Sequence, residues 1–208
     1  MSRLVFLLLL FVSSLIYADV TEEKSFSSIL EKRHSGYTFD KNRSIPKAKL
    51  IEIAEAARLS PSSYNEQPWR FIFCDQKQTP EGYKKVFDSL VDANQKWAKN
   101  APVLVVVLAN LKSTRNQENN SWALYDTGAA SMSLVLKATS LDLMAHEMGG
   151  FNSAQIKKEF NIPNNFEPIS VIALGYEQKT DDCVKITKNR LPLNDNFFYG
   201  NWAKGITP

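Results

Sequence analysis

Histidine and cysteine are scarce in this chain, with two of each among 208 residues. His34 and His146 are too few for a histidine-built metal centre. Neither Cys74 nor Cys183 sits in a Cys-x-x-Cys pair or at the spacing a structural zinc site uses. The two cysteines leave two readings open, a disulfide formed in an oxidising compartment or two separate thiols. No internal repeat, low-complexity tract or Pro/Gly/Ser-rich linker divides the chain, so a single domain over residues 19–208 is expected. A GxGxxG after a strand and a P-loop are both absent, which excludes the two familiar glycine-rich phosphate cradles. Charge of one sign is missing as well. The 25 basic residues are spread among 22 acidic ones without a run or stripe, and the net charge of +3 gives no reason to expect a nucleic-acid partner.

One long apolar run is present, at the N-terminus. Arg3, the stretch Leu4 to Tyr17, and Ala18 before the polar Asp19 have the layout of a secretory signal over residues 1–18. About 14 apolar residues are short for a bilayer span. Ile16 is bulkier than the residue usually found three positions before cleavage, so an uncleaved membrane anchor is the alternative. The expected location is periplasmic or secreted, with membrane attachment only if the segment stays in place.

The rest reads as alternating helices and strands. A short helix is expected over Phe26 to Lys32. A second is introduced by Ser44, Ile45 and Pro46, with Leu50, Ile51, Ala54, Ala57 and Arg58 on one face and an end before Pro61. Trp69 to Cys74 reads as a strand, Glu81 to Lys99 as mostly helix, and Pro102 to Ala109 as a strand buried on both faces. A long helix follows from about Ala123 to Leu141. Its Gly128, Ala129, Ala130, Ser131 and Ser133 are small enough to let another helix, or its own copy, approach. Ala154 to Phe160 and Ile169 to Tyr176 complete the pattern as a helix and a strand. The class is α/β or α+β with central strands.

Polar residues cluster in four places without an obvious structural need. The loop SPSSYNEQPW, Ser60 to Trp69, joins a helix stop to a strand through small and amide side chains. KRHS, Lys32 to Ser35, is either a solvated helix end or part of an anion site. KNRLPL, Lys188 to Leu193, places Lys188 and Arg190 two residues apart, on one side of an extended chain, so the two basic clusters could share a phosphate. Gly149 and Gly150 precede a helix, where bare backbone N–H groups can approach a flat ligand, although a helix-to-helix turn explains the same glycines.

Taken together, these segments resemble the nitroreductase family of flavin mononucleotide (FMN) oxidoreductases, in the family's order from about residue 26 to 202. The carrying stretches are EKRHS, IPKAKLIEIAEAARLSPSSYNEQPWRF, the ANQ and NAPVLVVV pair, YDTGAASMSLVLKATSLDL, the GGF turn, and KNRLPL with an aromatic tail to Trp202. The resemblance implies an α+β fold with a central, mostly antiparallel sheet surrounded by helices. It also implies an intertwined homodimer with FMN in the interface. By the same resemblance Pro61, Ser62, Ser63 and Asn65 contact the flavin across that interface, while Gln67 and Pro68 fix the loop. Arg33, His34 and Ser35, with Lys188 and Arg190, bind the phosphate and ribityl chain. Asn94 contacts the pyrimidine edge, and Gly149 and Gly150 lie against the flavin with a backbone N–H near N5.

The chain departs from the family's pattern at two positions. Tyr37 stands where many members have Lys or Arg, and Gly149 where many have an acidic residue. The implied activity is ping-pong transfer of hydride from a reduced donor, NAD(P)H, through flavin N5 to a small aromatic or quinone-like acceptor, with no side-chain acid or nucleophile required. A second reading is an exported flavin carrier without turnover.

Overall fold

Every residue of β2 (Val103–Asn110) is buried, which is why it reads as an unbroken apolar run and not as an alternating one. The computed structural model describes residues 25–178 and 188–206, in one unit that ends at Gln178 and a second that begins at Lys179. In the first unit the order is α1 (Phe26–Lys32), α2 (Lys47–Arg58), β1 (Trp69–Asp75), α3 (Pro80–Ser89), α4 (Asp92–Ala98), β2, α5 (Ala123–Ser140), β3 (Met144–Met148), α6 (Ser153–Glu159) and β4 (Phe166–Gly175). The four strands form one sheet in the order β1-β2-β4-β3, with every neighbouring pair antiparallel. This is the expected α+β fold with a central antiparallel sheet between helices.

Side-chain alternation divides the core in two. Val103, Val105 and Val107 of β2 join Ile172 and Leu174 of β4 beneath α2 and α5, where Ile53, Ala57, Ala130, Leu134 and Ala138 cover them. Leu104, Val106 and Leu108 face the other way with Val171 and Ala173, under Tyr83 and Val86 of α3, Ala98 of α4 and Ile156 of α6. Each Val or Leu so buried contributes about 1.5–3 kcal/mol.

Four sequence expectations change. The buried face of α2 is Ile53 and Ala57, one position round from the expected stripe, and Ile51 is 55% exposed. Pro46 itself occupies the N-cap of α2 without a side-chain cap, so Ser44 does not cap it. The expected helix over residues 81–99 breaks at Leu90 and Val91. There Leu90 bridges to Phe151, and the Val91 N–H donates to the Gly150 carbonyl at 3.0 Å. The helix-to-helix turn at Gly149 is a strand-to-helix turn, because β3 precedes it and Asn152 caps α6 by accepting from the Gln155 N–H at 3.0 Å.

In the second unit, α7 (Leu193–Asn196) starts after Pro192, and the tail closes into a turn in which Phe198 bridges Gly205 and Gly200 adopts φ +79°. The apolar N-terminal run and Cys183 lie outside the described residues. Cys74 is buried, and burial pushes its thiol up to about 11.

Candidate functional site

The loop after α2 holds three non-glycine residues in the left-handed region, Tyr64 (φ 51°), Asn65 (φ 57°) and Gln67 (φ 45°). Each costs about 1–2 kcal/mol, so the loop keeps this shape only if its surroundings impose it. They do so through a dense set of bonds. The Gln67 N–H donates to Ser62 Oγ at 3.0 Å, the Asn65 N–H to the Ser62 carbonyl at 3.0 Å, and Gln67 Nε2 to Asn65 Oδ1 at 3.1 Å. Two ties run to α5. The Ser63 N–H donates to Asp126 Oδ2 at 3.0 Å, and the hydroxyls of Ser60 and Ser133 meet at 2.7 Å. A third tie runs to the loop after β2, where Glu66 accepts from Ser113 Oγ (2.7 Å), the Thr114 N–H (2.8 Å) and Thr114 Oγ1 (2.7 Å). The Ser113 and Thr114 bonds hold the Glu66 carboxyl down at about 2. Pro61 is exposed at the start of this loop, while Ser62 and Ser63 are half-buried.

The segment after α1 is built differently. The Arg33 N–H closes the helix onto the Ile29 carbonyl at 2.9 Å, and Lys32 is paired with Asp142. His34 Nε2 lies 3.0 Å from Glu177 Oε1 and Nδ1 lies 3.0 Å from the Lys32 carbonyl, so acceptors of this chain already engage both ring nitrogens. Ser35 is exposed. Gly36 presses against β3, for a Cβ there would collide with Met144 Sδ and stand 3.2 Å from the His34 ring. On β3, crowding by protein pushes the Glu147 carboxyl up, and the positive charge of Arg33 opposes that shift. Glu147 keeps surface on solvent, within reach of the Arg33 charge. The cleft that Lys32, Arg33, His34, Thr139 and Asp142 line is about 40 Å³, water-sized and far below the 300 Å³ or more of a cofactor pocket.

Asn94 and Gly150 meet directly. Asn94 Nδ2 donates to the Gly150 carbonyl at 3.0 Å, and a Cβ on Gly150 would lie 2.8 Å from Val91 Cγ2 and 2.9 Å from Asn94 Nδ2. Gly149 is the opposite case. It is exposed, and a Cβ there would meet nothing within 4 Å.

The sequence-predicted residues of the first unit thus form two groups. Arg33, His34 and Ser35 gather with Asn94, Gly149 and Gly150 around β3, whereas Pro61, Ser62, Ser63 and Asn65 lie before β1. These are the two edge strands, separated by three strand spacings, about 14 Å. Trp69 is level with Glu167 through Ala109, and Met148 with Val171, which adds four residues or about 13 Å along the strands. The groups are roughly 20 Å apart and do not close on each other within one chain. Lys188 and Arg190 belong to the second unit, where Arg190 is exposed and donates to the Asn189 carbonyl at 2.8 Å. Sequence reasoning missed Glu66 and Asp126. The second had a signal, a carboxylate in the first turn of a mostly apolar helix.

Comparison with known proteins identifies the family. The Nitroreductase family profile matches residues 30–176. An oxygen-insensitive NADPH nitroreductase from Helicobacter acinonychis is 34% identical over 160 residues, 75% of this chain and 71% of that protein. A crystal structure described as an oxidoreductase containing FMN superposes with TM-score 0.75 at 32% identity, over 84% of this chain and 91% of the other. A nitroreductase family protein from Clostridium difficile 630 gives TM-score 0.70 at 27% identity, over 86% and 99%. From its profile match, its relatives and its antiparallel sheet alike, the chain belongs to the nitroreductase family.

Proposed function

We propose that the chain is an FMN-dependent oxidoreductase that takes reducing equivalents from NAD(P)H and passes them to a small aromatic or quinone-like acceptor. The observation that carries this reading is the division of the site into two rigid, complementary halves at opposite sheet edges. A two-fold dimer repairs that division, because each loop of residues 60–67 then faces the β3 edge of the other subunit. The outer face of α5 supports such an assembly. Tyr125 is 73% exposed and Met132 45% exposed, with Gly128 open between them, an exposed apolar helical stripe. Ala130 faces the chain's own core, so association rests on Gly128 and Met132.

The residues present fit FMN. Gly149 leaves a bare, open backbone for a flat ring, the Asn94 amide is half-buried beside it, and Arg33 supplies positive charge at the same edge. Bound there, FMN would supply the two-electron chemistry. Arg33 and Ser35 would hold the phosphate and ribityl chain by charge-assisted bonds. Ser62, Ser63 and Asn65 would close the partner's site, and Gly149 and Gly150 would present their N–H groups without side chains in the way. The apolar run of residues 4–17 further supports export of the mature protein, which intact mass of protein from its native host would test.

The test of the reading is optical. Purified protein should be yellow with bound flavin, and NADH or NADPH added without oxygen should bleach it. Protein that stays colourless after incubation with FMN contradicts the assignment. Yellow protein that neither nucleotide bleaches is a flavin carrier.

A further inference from the structure

His146 is one of only two histidines, and none of the roles above uses it. It stands on β3, an edge strand whose outer side would otherwise offer unpaired backbone groups. The segment from Arg33 to Tyr37 wraps that edge. Successive β3 side chains point to opposite faces of the sheet, and the segment engages both. Arg33 acts on Glu147 on the face that Ala145 shares with α2 and α5. Gly36 and Tyr37 reach His146 on the face that Met144 and Met148 share with α3, α4 and α6.

The contacts at His146 are specific. Nδ1 lies 2.9 Å from the Gly36 carbonyl. A carbonyl only accepts, so Nδ1 carries the proton and donates. The imidazole packs against Trp97 of α4 at 4.5 Å between centroids and against Tyr37 at 4.9 Å, and Tyr37 and Trp97 also meet edge-on at 5.2 Å. Three segments converge on this stack. The first carries Arg33 and Ser35, α4 carries Asn94, and β3 runs directly into Gly149 and Gly150. Tyr37 is 60% exposed, so its ring is also open to solvent.

We propose that His146 is a positioning residue. Packed against Tyr37 and Trp97, which also touch each other, and bonded to the Gly36 carbonyl, it fixes the Arg33–Gly36 segment against β3 in the register that a phosphate-bearing flavin requires. The inference rests on the FMN reading and adds a residue to it. The aromatic Tyr37, where a basic residue would have given a direct charge, supplies instead one wall of the stack that aims Arg33.

The experiment compares FMN and riboflavin binding to full-length apoprotein by fluorescence titration, for the wild type and for H146F, H146N and Y37L. Phe keeps a ring in the stack but cannot donate to Gly36, whereas the Asn amide can place a donor near the Nδ1 position. H146F should weaken FMN by about tenfold, the order expected for one lost bond that orients a charged contact, and riboflavin by less than about twofold. H146N should recover most of the FMN preference. Y37L, at a position 60% exposed, should shift the preference in the direction of H146F by a smaller factor. A role in folding alone would lower both affinities together and lower the thermal midpoint. That result overturns the proposal, as does an FMN preference left intact in H146F and Y37L. If H146F does not fold, Y37L decides between the same two outcomes. Wild-type protein that binds neither flavin, or binds both equally, overturns the FMN reading itself and this inference with it. Wild-type preference with unaffected variants overturns the inference alone.

Discussion

The loop before β1 and the segment around β3 are both rigid, for unlike reasons. The loop is polar, strained and self-bonded. Three left-handed residues are held by bonds to Ser62, Asp126 and the Glu66 anchor. The β3 edge is held by packing, with Gly36 against Met144, Gly150 against Val91 and Asn94, and His146 within an aromatic stack. Neither half borrows from the other inside one chain. What the difference teaches is that preorganisation and completeness are separate properties. On the proposed reading each half is prepared for a ligand, and association completes the site.

The largest test of this comparison removes association while sparing both halves. Met132→Glu places a charge on the exposed stripe of α5, where the monomer's own core is untouched. We expect the monomer by light scattering, and FMN affinity reduced by about a hundredfold, since the neutral bonds from Ser62, Ser63 and Asn65 of the partner's loop are lost together while Arg33 stays in place. Breaking only the β3 side is milder. Arg33→Ala should weaken FMN by about tenfold to a hundredfold and leave riboflavin nearly unchanged, because a charged hydrogen bond is worth about 1.5–3 kcal/mol. Arg190→Ala should behave alike, and if it weakens both flavins equally, Arg190 does not bind the phosphate. Gly150→Ala is smaller still. Its Cβ would push Val91 and Asn94 aside at an expected cost of about 1–3 kcal/mol in thermal or denaturant stability, with flavin affinity falling by only a few-fold.

The smallest effect is on the loop side and has a pH signature. The Glu66 carboxyl is held below its usual value of 4.5, at about 2, so its bonds stabilise the folded chain fully above pH 4.5. That contribution is lost as pH falls from 4.5 toward about 2. Unfolding midpoints of the wild type should drop through this window, and Glu66→Gln should remove that part of the slope. An identical slope in both proteins would mean that Glu66 does not anchor the loop.

Much of the framework was legible because local pattern and tertiary burial agree. Phe26–Lys32 forms as read, the apolar strand expected over Pro102 to Ala109 forms one residue along as Val103–Asn110, and α5 ends at Ser140, one residue before the expected Leu141. β3 escaped notice because Met-Ala-His-Glu-Met contains no β-branched residue and owes its extension to pairing with β4. The buried face of α2 turned by one residue because Ile53, not Ile51, meets the sheet. In the candidate site, residue types pointed to the loop and to the segments around β3, but the strain at Tyr64, Asn65 and Gln67 left no glycine to mark it. The division of the candidate residues between two edges was legible only through the family resemblance, which assigns the loop of residues 61–65 across an interface, and not from the residues themselves. It follows from strand order, which residue spacing does not encode.

A mixed dimer tests the central claim most directly. One subunit carries Arg33→Ala, disabling its β3 side, and the other carries Ser63→Ala with Asn65→Ala, disabling its loop. If each site takes the loop of one subunit and the β3 edge of the other, one site in the mixed dimer receives both defects and the second receives none. The account predicts one FMN bound per mixed dimer with wild-type affinity, although each parent homodimer binds weakly at both sites. Two weakened sites and no wild-type site would show that each site is built within a single chain, and would contradict the account.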